Sequence, residues 1–180
     1  MRFFDKNFRE ILPSEIISVV GGVVAGTILA IYTDKILLIP GMIILLPGFL
    51  EMRGNISGSF ASRLSSGLFL KVIHPRKPER HIIQGNLFAS FLLAILVSLT
   101  LGIIAFLFNF FVFDIIYFRI ILLPFLAGII ANAIEIPLTL FATLYLFRKG
   151  HDPNNIMGPF ITTTGDITSI VALLVSVWLL

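Results

Sequence analysis

Long apolar runs, cut at a few points by clusters of charge, set the pattern of the chain. Residues 1–15, MRFFDKNFREILPSE, mix charges with aromatics. No short apolar core with a small-residue cleavage site follows them, as a signal peptide requires. They predict a short cytoplasmic helix lying in the membrane interface, anchored by Phe3, Phe4 and Phe8. The charge-free run 16–33 predicts a first span, closed by Asp34 and Lys35. About 20 residues at 1.5 Å each cross the hydrocarbon. The next apolar stretch, 36–50, holds Pro40 and Pro47 and meets Glu51, Arg53, Gly54 and Asn55 before the pattern resumes to Leu70. That predicts one broken span. Residues 82–113 predict a third, 115–147 a fourth kinked at Pro124 and Pro137, and 155–180 a fifth. The expectation is an all-α polytopic membrane protein of five transmembrane helices, divided into a segment 1–15 and a membrane domain 16–180. Its N-terminus is cytoplasmic and its termini lie on opposite sides.

Composition sharpens this. Of 180 residues, 57% are hydrophobic and only 13% charged. A mean hydropathy of +1.02 would leave a soluble domain with large apolar patches in water. The absence of cysteine excludes disulfides, thiolate metal sites and thiol catalysis. The net charge of +3 does not argue for nucleic acid, because the basic residues sit between apolar runs. In the five-span arrangement Arg2, Lys6, Arg9, Lys71, Arg76, Lys77, Arg80, Arg148 and Lys149 fall on one side, and only Lys35 and Arg119 on the other. That is the positive-inside bias. A six-span reading, with 36–50 crossing alone, loses it.

Polar residues recur at helical spacing inside the spans: Asn55, Ser59, Ser62 and Ser66; Gly128, Asn132, Glu135 and Thr139; Pro159, Thr162, Asp166, Ser169 and Ser176. A single hydroxyl in a membrane helix bonds back to backbone or to a neighbour; a stripe implies a polar interior. Glu135 and Asp166 lie deep in apolar runs, where a lone charge against lipid costs several kcal/mol. Arg53, Arg63, a proton or a translocated cation can balance them, or a buried Arg–carboxylate pair can simply hold helices together. Carboxylate, hydroxyl, amide and carbonyl oxygens suit a partly hydrated Mg²⁺. His74, His81 and His151 lie in loops, which argues against a transition-metal centre. Ser18, Gly22, Gly26 and Ala30 form a small-residue ridge on the first span, fit for close helix packing. Asn55-Ile56-Ser57 fits the glycosylation pattern but sits at membrane depth. No phosphate loop, nucleophile elbow or zinc-protease motif is present, so no enzyme activity and no cofactor are expected.

Residues 47–67, PGFLEMRGNISGSFASRLSSG, resemble the repeated membrane module of the MgtE and SLC41 divalent cation transporters through Pro47, Gly54, Asn55, Ala61, Ser62, Arg63, Leu64 and Ser65. Residues 151–170, HDPNNIMGPFITTTGDITSI, resemble the family's last membrane helix through Asp152, Pro153, Pro159, Thr162, Thr163, Gly165 and Asp166. With Asn132 and Pro137 the resemblance covers 16–180, nearer the SLC41-like form.

It implies that Asp166 binds the permeating cation near a dimer axis and that Asn55 faces the pore. It also implies a homodimer of ten membrane helices, since a single five-span chain needs a partner. The 15 residues ahead of the first span are too few for the cytoplasmic Mg²⁺-sensing region of MgtE proteins, so gating by that region is not expected. The resulting assignment is Mg²⁺ transport by a homodimer in the cell membrane, with lipids and no nucleic acid as surroundings. Asp166, Asn55, Thr162 and Thr163 are its metal-binding residues, and Glu51, Ser59, Asn132, Glu135 and Asp152 its pathway residues. The alternatives are a proton- or sodium-coupled transporter of another small substrate and a structural subunit of a membrane complex.

Overall fold

The structure, a computed structural model, describes residues 5–180. The expected anchors Phe3 and Phe4, and the charge of Arg2, lie outside the described residues. Among the described residues there are six helices and no strand: α1 Lys6–Ile31, α2 Thr33–Leu37, α3 Met42–Phe69, α4 Arg80–Phe113, α5 Arg119–Arg148 and α6 Pro153–Leu179.

Local chemistry sets several of these ends. The Asp5 carboxylate accepts the Phe8 amide at 2.9 Å and starts α1. Asp152 does the same for α6 through the Asn154 amide, with Pro153 in the first turn, where its missing N–H costs nothing. Lys71 and Asp114 take left-handed backbone conformations after α3 and α4, and the amides of Ile73 and Ile115 close back onto the carbonyls of Gly67 and Asn109.

Three hydrogen bonds orient the bundle. Lys6 Nζ donates to the Gly150 carbonyl at 2.8 Å, and Arg148 Nε donates to the Pro75 carbonyl. The start of α1, the α3–α4 loop and the α5–α6 loop therefore share one end, the one that carries the clustered basic residues. At the other end Asn109 Nδ2 donates to the Pro40 carbonyl at 2.9 Å. Because α6 starts at the basic end and runs 27 residues, about 40 Å, the start of α1 and the end of α6 lie at opposite ends. Aromatics mark both levels, with Lys149 over the Tyr145 ring at the basic end and Lys35 over the Tyr32 ring at the other, where α6 also ends with exposed Trp178.

α3 packs on α4, α5 and α6, and α5 on α4 and α6, while α1 packs only on α6 apart from its junction with α2. The core divides into an apolar cluster around Phe49, Met52, Ala94, Leu123 and Leu173, a second around Phe60, Leu64, Ile83 and Ile136 towards the basic end, and a small third of Ala61, Met157 and Ile161. α4 and α5 approach closely because α4 turns Ser90, Ala94, Ser98, Gly102 and Ala105 inward. A Cβ at Gly102 would lie 2.5 Å from the Ile121 carbonyl oxygen. The outer faces carry Val20, Val24, Leu92, Leu96, Phe111 and Phe141, all exposed, as lipid contact requires.

Several expectations change. Four helices, α1, α4, α5 and α6, are long and apolar enough to cross a membrane. α3 has 28 residues, but Glu51, Arg53 and Arg63 make it too polar to qualify by composition. The break expected inside the second span falls at 38–41, around Pro40, and α3 then runs through Pro47 as a single helix. α5 likewise runs unbroken through Pro124 and Pro137.

The segment after Asp5 is continuous with the first span instead of forming a separate interfacial helix. Its polar residues bind the start of α6. Glu10 accepts hydrogen bonds from Asn155 Nδ2 and the Asp152 amide, and Ser14 Oγ reaches the Asn155 carbonyl that Pro159 leaves without an amide donor. The small-residue ridge is offset by one position. Gly22 and Gly26 face open space, whereas Gly21 and Ala25 are buried, and a Cβ at Gly21 would collide with the Thr163 methyl.

Candidate cation site

Halfway along the bundle, α3 and α6 diverge around a groove of about 520 Å³. Pro47, Leu50, Glu51, Gly54, Asn55 and Gly58 form the α3 wall, and Gly158, Ile161, Thr162, Gly165 and Asp166 the α6 wall. The glycines leave the floor without side chains: a Cβ at Gly54, Gly58, Gly158 or Gly165 meets nothing within 4 Å. Asp166 lies 13 residues into the 27-residue α6, about 20 Å from the basic end, which is the middle of the helix.

The polar groups of this groove are all oxygen donors or groups that orient them. The partly exposed Asp166 carboxylate makes no hydrogen bond or ion pair among the described residues. Asn55 Nδ2 donates to Glu51 Oε1 at 3.2 Å, which leaves the Asn55 carbonyl oxygen free. Thr162 Oγ1 donates to the Gly158 carbonyl at 3.1 Å, so its lone pairs stay available to the groove. Two carboxylates and no cationic side chain line the cavity. A second cavity, about 260 Å³, shares Gly58, Gly158 and Ile161 with the first and continues past Ser62, Ser65 and Asn154 to the basic end.

Other expected site residues lie elsewhere. Thr163 sits one residue, or 100°, around α6 from Thr162 and packs on Gly21 of α1, so it is removed from the groove. Asn132 and Glu135 are fully buried in a separate polar layer between α3, α5 and α6. There Arg53 Nη1 donates to Asn132 Oδ1 at 2.7 Å and Arg53 Nε to Ser169 Oγ at 3.2 Å. Thr168 and Thr164 donate to the two Glu135 oxygens at 2.9 and 3.3 Å, and no ion pair joins Arg53 to Glu135 among the described residues. Arg53 is the cation that shares this buried layer with Glu135, without a direct ion pair, whereas no cationic side chain lines the groove of Asp166. Ser59 is exposed on α3 outside the groove lining, and Asp152 is spent on capping α6. Thr164 and Thr168 are four apart and lie on the face of α6 nearly opposite Thr162 and Asp166, about 200° around the helix, which is why they meet Glu135 and not the groove.

A family model described as MgtE, divalent cation transporter, matches residues 46–176. The chain belongs to the MgtE divalent cation transporter family. The MgtE match begins one residue before Pro47 and ends at Ser176, so it contains every groove residue and the whole buried polar layer, and it leaves out α1 and α2. Comparisons with curated proteins and with solved structures give no match. Family and apolar helices together make this a membrane protein of a transporter family.

Proposed function

We propose that two copies of this MgtE-family chain carry Mg²⁺, or a closely related divalent ion, across the cell membrane through a passage made from their two α3–α6 grooves. The observation that carries this reading is the Asp166 carboxylate, open to the protomer surface at mid-depth with nothing to balance it. Such a group cannot face lipid without a cost of several kcal/mol. A second copy turning the same groove towards it closes the passage on a two-fold axis and brings two Asp166 side chains to one ion. α3 then crosses with α1, α4, α5 and α6, its polar flank facing the passage and its apolar flank the core, for ten helices in the dimer.

In this arrangement the carboxylates attract the ion while the Asn55 carbonyl oxygen and the Thr162 hydroxyl hold its waters. Mg²⁺ gives up water reluctantly, so a groove wide enough for a partly hydrated ion suits it, and contacts through water let the ion leave again. Glu51 adds charge at the same level. The channel past Ser62, Ser65 and Asn154 leads to the cytoplasmic end.

Reconstitution in sealed vesicles tests the reading, with Mg²⁺, Mn²⁺, Co²⁺ and Ca²⁺ in competition and with imposed proton or sodium gradients. Asp166→Ala abolishes divalent uptake, and Asp166→Asn lowers it by more than about tenfold, because it keeps an oxygen ligand but loses the charge that hard cations favour. Uptake unchanged in both variants rejects the assignment. As the chain has no cysteine, a single Ser62→Cys variant reports the partner, and its failure to cross-link in actively transporting vesicles rejects the two-copy passage.

A further inference from the structure

Within α3 to α6, away from the loops, the bundle hides its charges. Arg53 and Glu135 are buried, and Glu51 and Asp166 face the cation groove. Arg63 does neither. It lies six residues, about 9 Å, before the end of α3, is exposed, and belongs to a different groove between α3 and α4 with a volume of about 480 Å³. The two grooves have no residue in common.

Two neutral side chains hold the Arg63 guanidinium in one orientation. Nε donates to Asn86 Oδ1 at 2.9 Å and Nη2 donates to Ser90 Oγ at 2.9 Å. Asn86 is itself fixed, its Nδ2 donating to the Ile82 carbonyl at 3.0 Å. Nη1 and the second Nη2 hydrogen have no partner among the described residues, and no carboxylate lines this groove. A preset fork of N–H donors with open positions matches the oxygens of a phosphate group. His81 stands in the same groove one residue into α4, and Gly85 leaves its middle empty, with nothing within 4 Å of a built Cβ. Towards the bilayer centre the lining turns apolar at Ala89 and Leu93 and gives onto exposed Leu92 and Leu96.

We propose that this α3–α4 groove binds an anionic phospholipid of the cytoplasmic leaflet. Arg63 is the phosphate ligand, His81 lies beside the headgroup, and one acyl chain runs along Ala89, Leu93 and Leu96. The depth agrees. α4 has 34 residues, about 50 Å, and exceeds the roughly 30 Å of hydrocarbon, so the level of Arg63 and Asn86 falls at the boundary of the headgroup layer. The charge agrees as well, since the basic loops gather at this end and the cytoplasmic leaflet is the anionic one. A free phosphate ion satisfies the guanidinium alone and makes no use of the apolar half.

The test is lipid binding to the purified full-length protein, read by native mass spectrometry and by thermal stabilisation. Phosphatidylglycerol and phosphatidylcholine are added separately to wild type, Arg63→Gln and Gly85→Leu. Wild type binds phosphatidylglycerol about tenfold more tightly than phosphatidylcholine, whose choline ammonium cancels the phosphate charge and is repelled by the Arg63 guanidinium, and each variant loses that preference. Gly85→Leu fills open space and adds a better helix former, so it folds even if Arg63→Gln does not. Inorganic phosphate in large excess leaves the bound lipid in place. Equal binding of the two lipids by wild type overturns the proposal, as does undiminished preference in Gly85→Leu, or stabilisation by inorganic phosphate equal to that by the lipid. Loss of the dimer in Gly85→Leu with lipid preference intact assigns the groove to a second copy and overturns it too.

Discussion

Replacing Arg53 with methionine removes the positive charge at the centre of the buried polar layer. Asn132 Oδ1 and Ser169 Oγ lose their donor, and Glu135 loses the cation that shares its layer. Hydrogen bonds between membrane helices are worth about 0.6 kcal/mol each on average and up to about 1.7. Breaking a buried charge interaction from one side costs about 3–5 kcal/mol. The electrostatic part has a ceiling, because an unbalanced carboxyl can take up a proton. Arg53→Met should therefore destabilise the protomer by about 3–5 kcal/mol, less whatever is recovered by no longer burying the unpartnered Arg53 Nη2. The assay is denaturant or thermal unfolding in detergent. Glu135→Gln placed in the same chain removes the stranded charge while its amide oxygen still accepts from Thr168. The double variant should regain most of the loss, since removing both members of a buried pair is close to neutral. A double variant no more stable than Arg53→Met refutes the charge-balance account and leaves only packing.

Gly102→Leu should cost about 1–3 kcal/mol in the same unfolding assay, because its side chain would meet the Ile121 backbone, which cannot move aside as a flexible side chain would. In the α3–α4 loop His74 Nδ1 and the His74 amide both bond the Glu79 carboxylate, and the His74 contact holds Glu79 below the ordinary carboxylate range. A folded-state value below the unfolded one means that the loop contact is fully present above about pH 4.3 and is lost as pH falls through the lower folded value. Hydrogen exchange at the His74 amide, followed over pH, should show this acid loosening in wild type and no such step in Glu79→Gln.

The sequence by itself determined the class of the protein and the chemistry of its groove. Periodicity and charge spacing are local properties, so the apolar runs gave α1, α4, α5 and α6 to within a few residues at most ends, and the basic clusters fell at one end of the bundle. The stripe containing Asn55 and the stripe containing Thr162 and Asp166 could be read at 100° per residue, and their meeting in one groove follows once α3 packs on α6. What the pattern could not supply was which flank of each helix meets which neighbour. Thr163 and Thr162 are adjacent in the chain and chemically identical, yet packing of α1 on Gly21 sends one to a helix contact and leaves the other in the groove. Glu135 and Asp166 are both carboxylates deep in apolar runs. Only the position of Arg53, 82 residues before Glu135 in the chain, separates the one that shares its layer with a cation from the bare one. Prolines are legible in the sequence, but only the structure shows that α3, α5 and α6 each continue as one helix through them. Residue type and spacing are written along one dimension. The pairing of surfaces that balances a charge or opens a groove is a property of helices that meet across long stretches of chain.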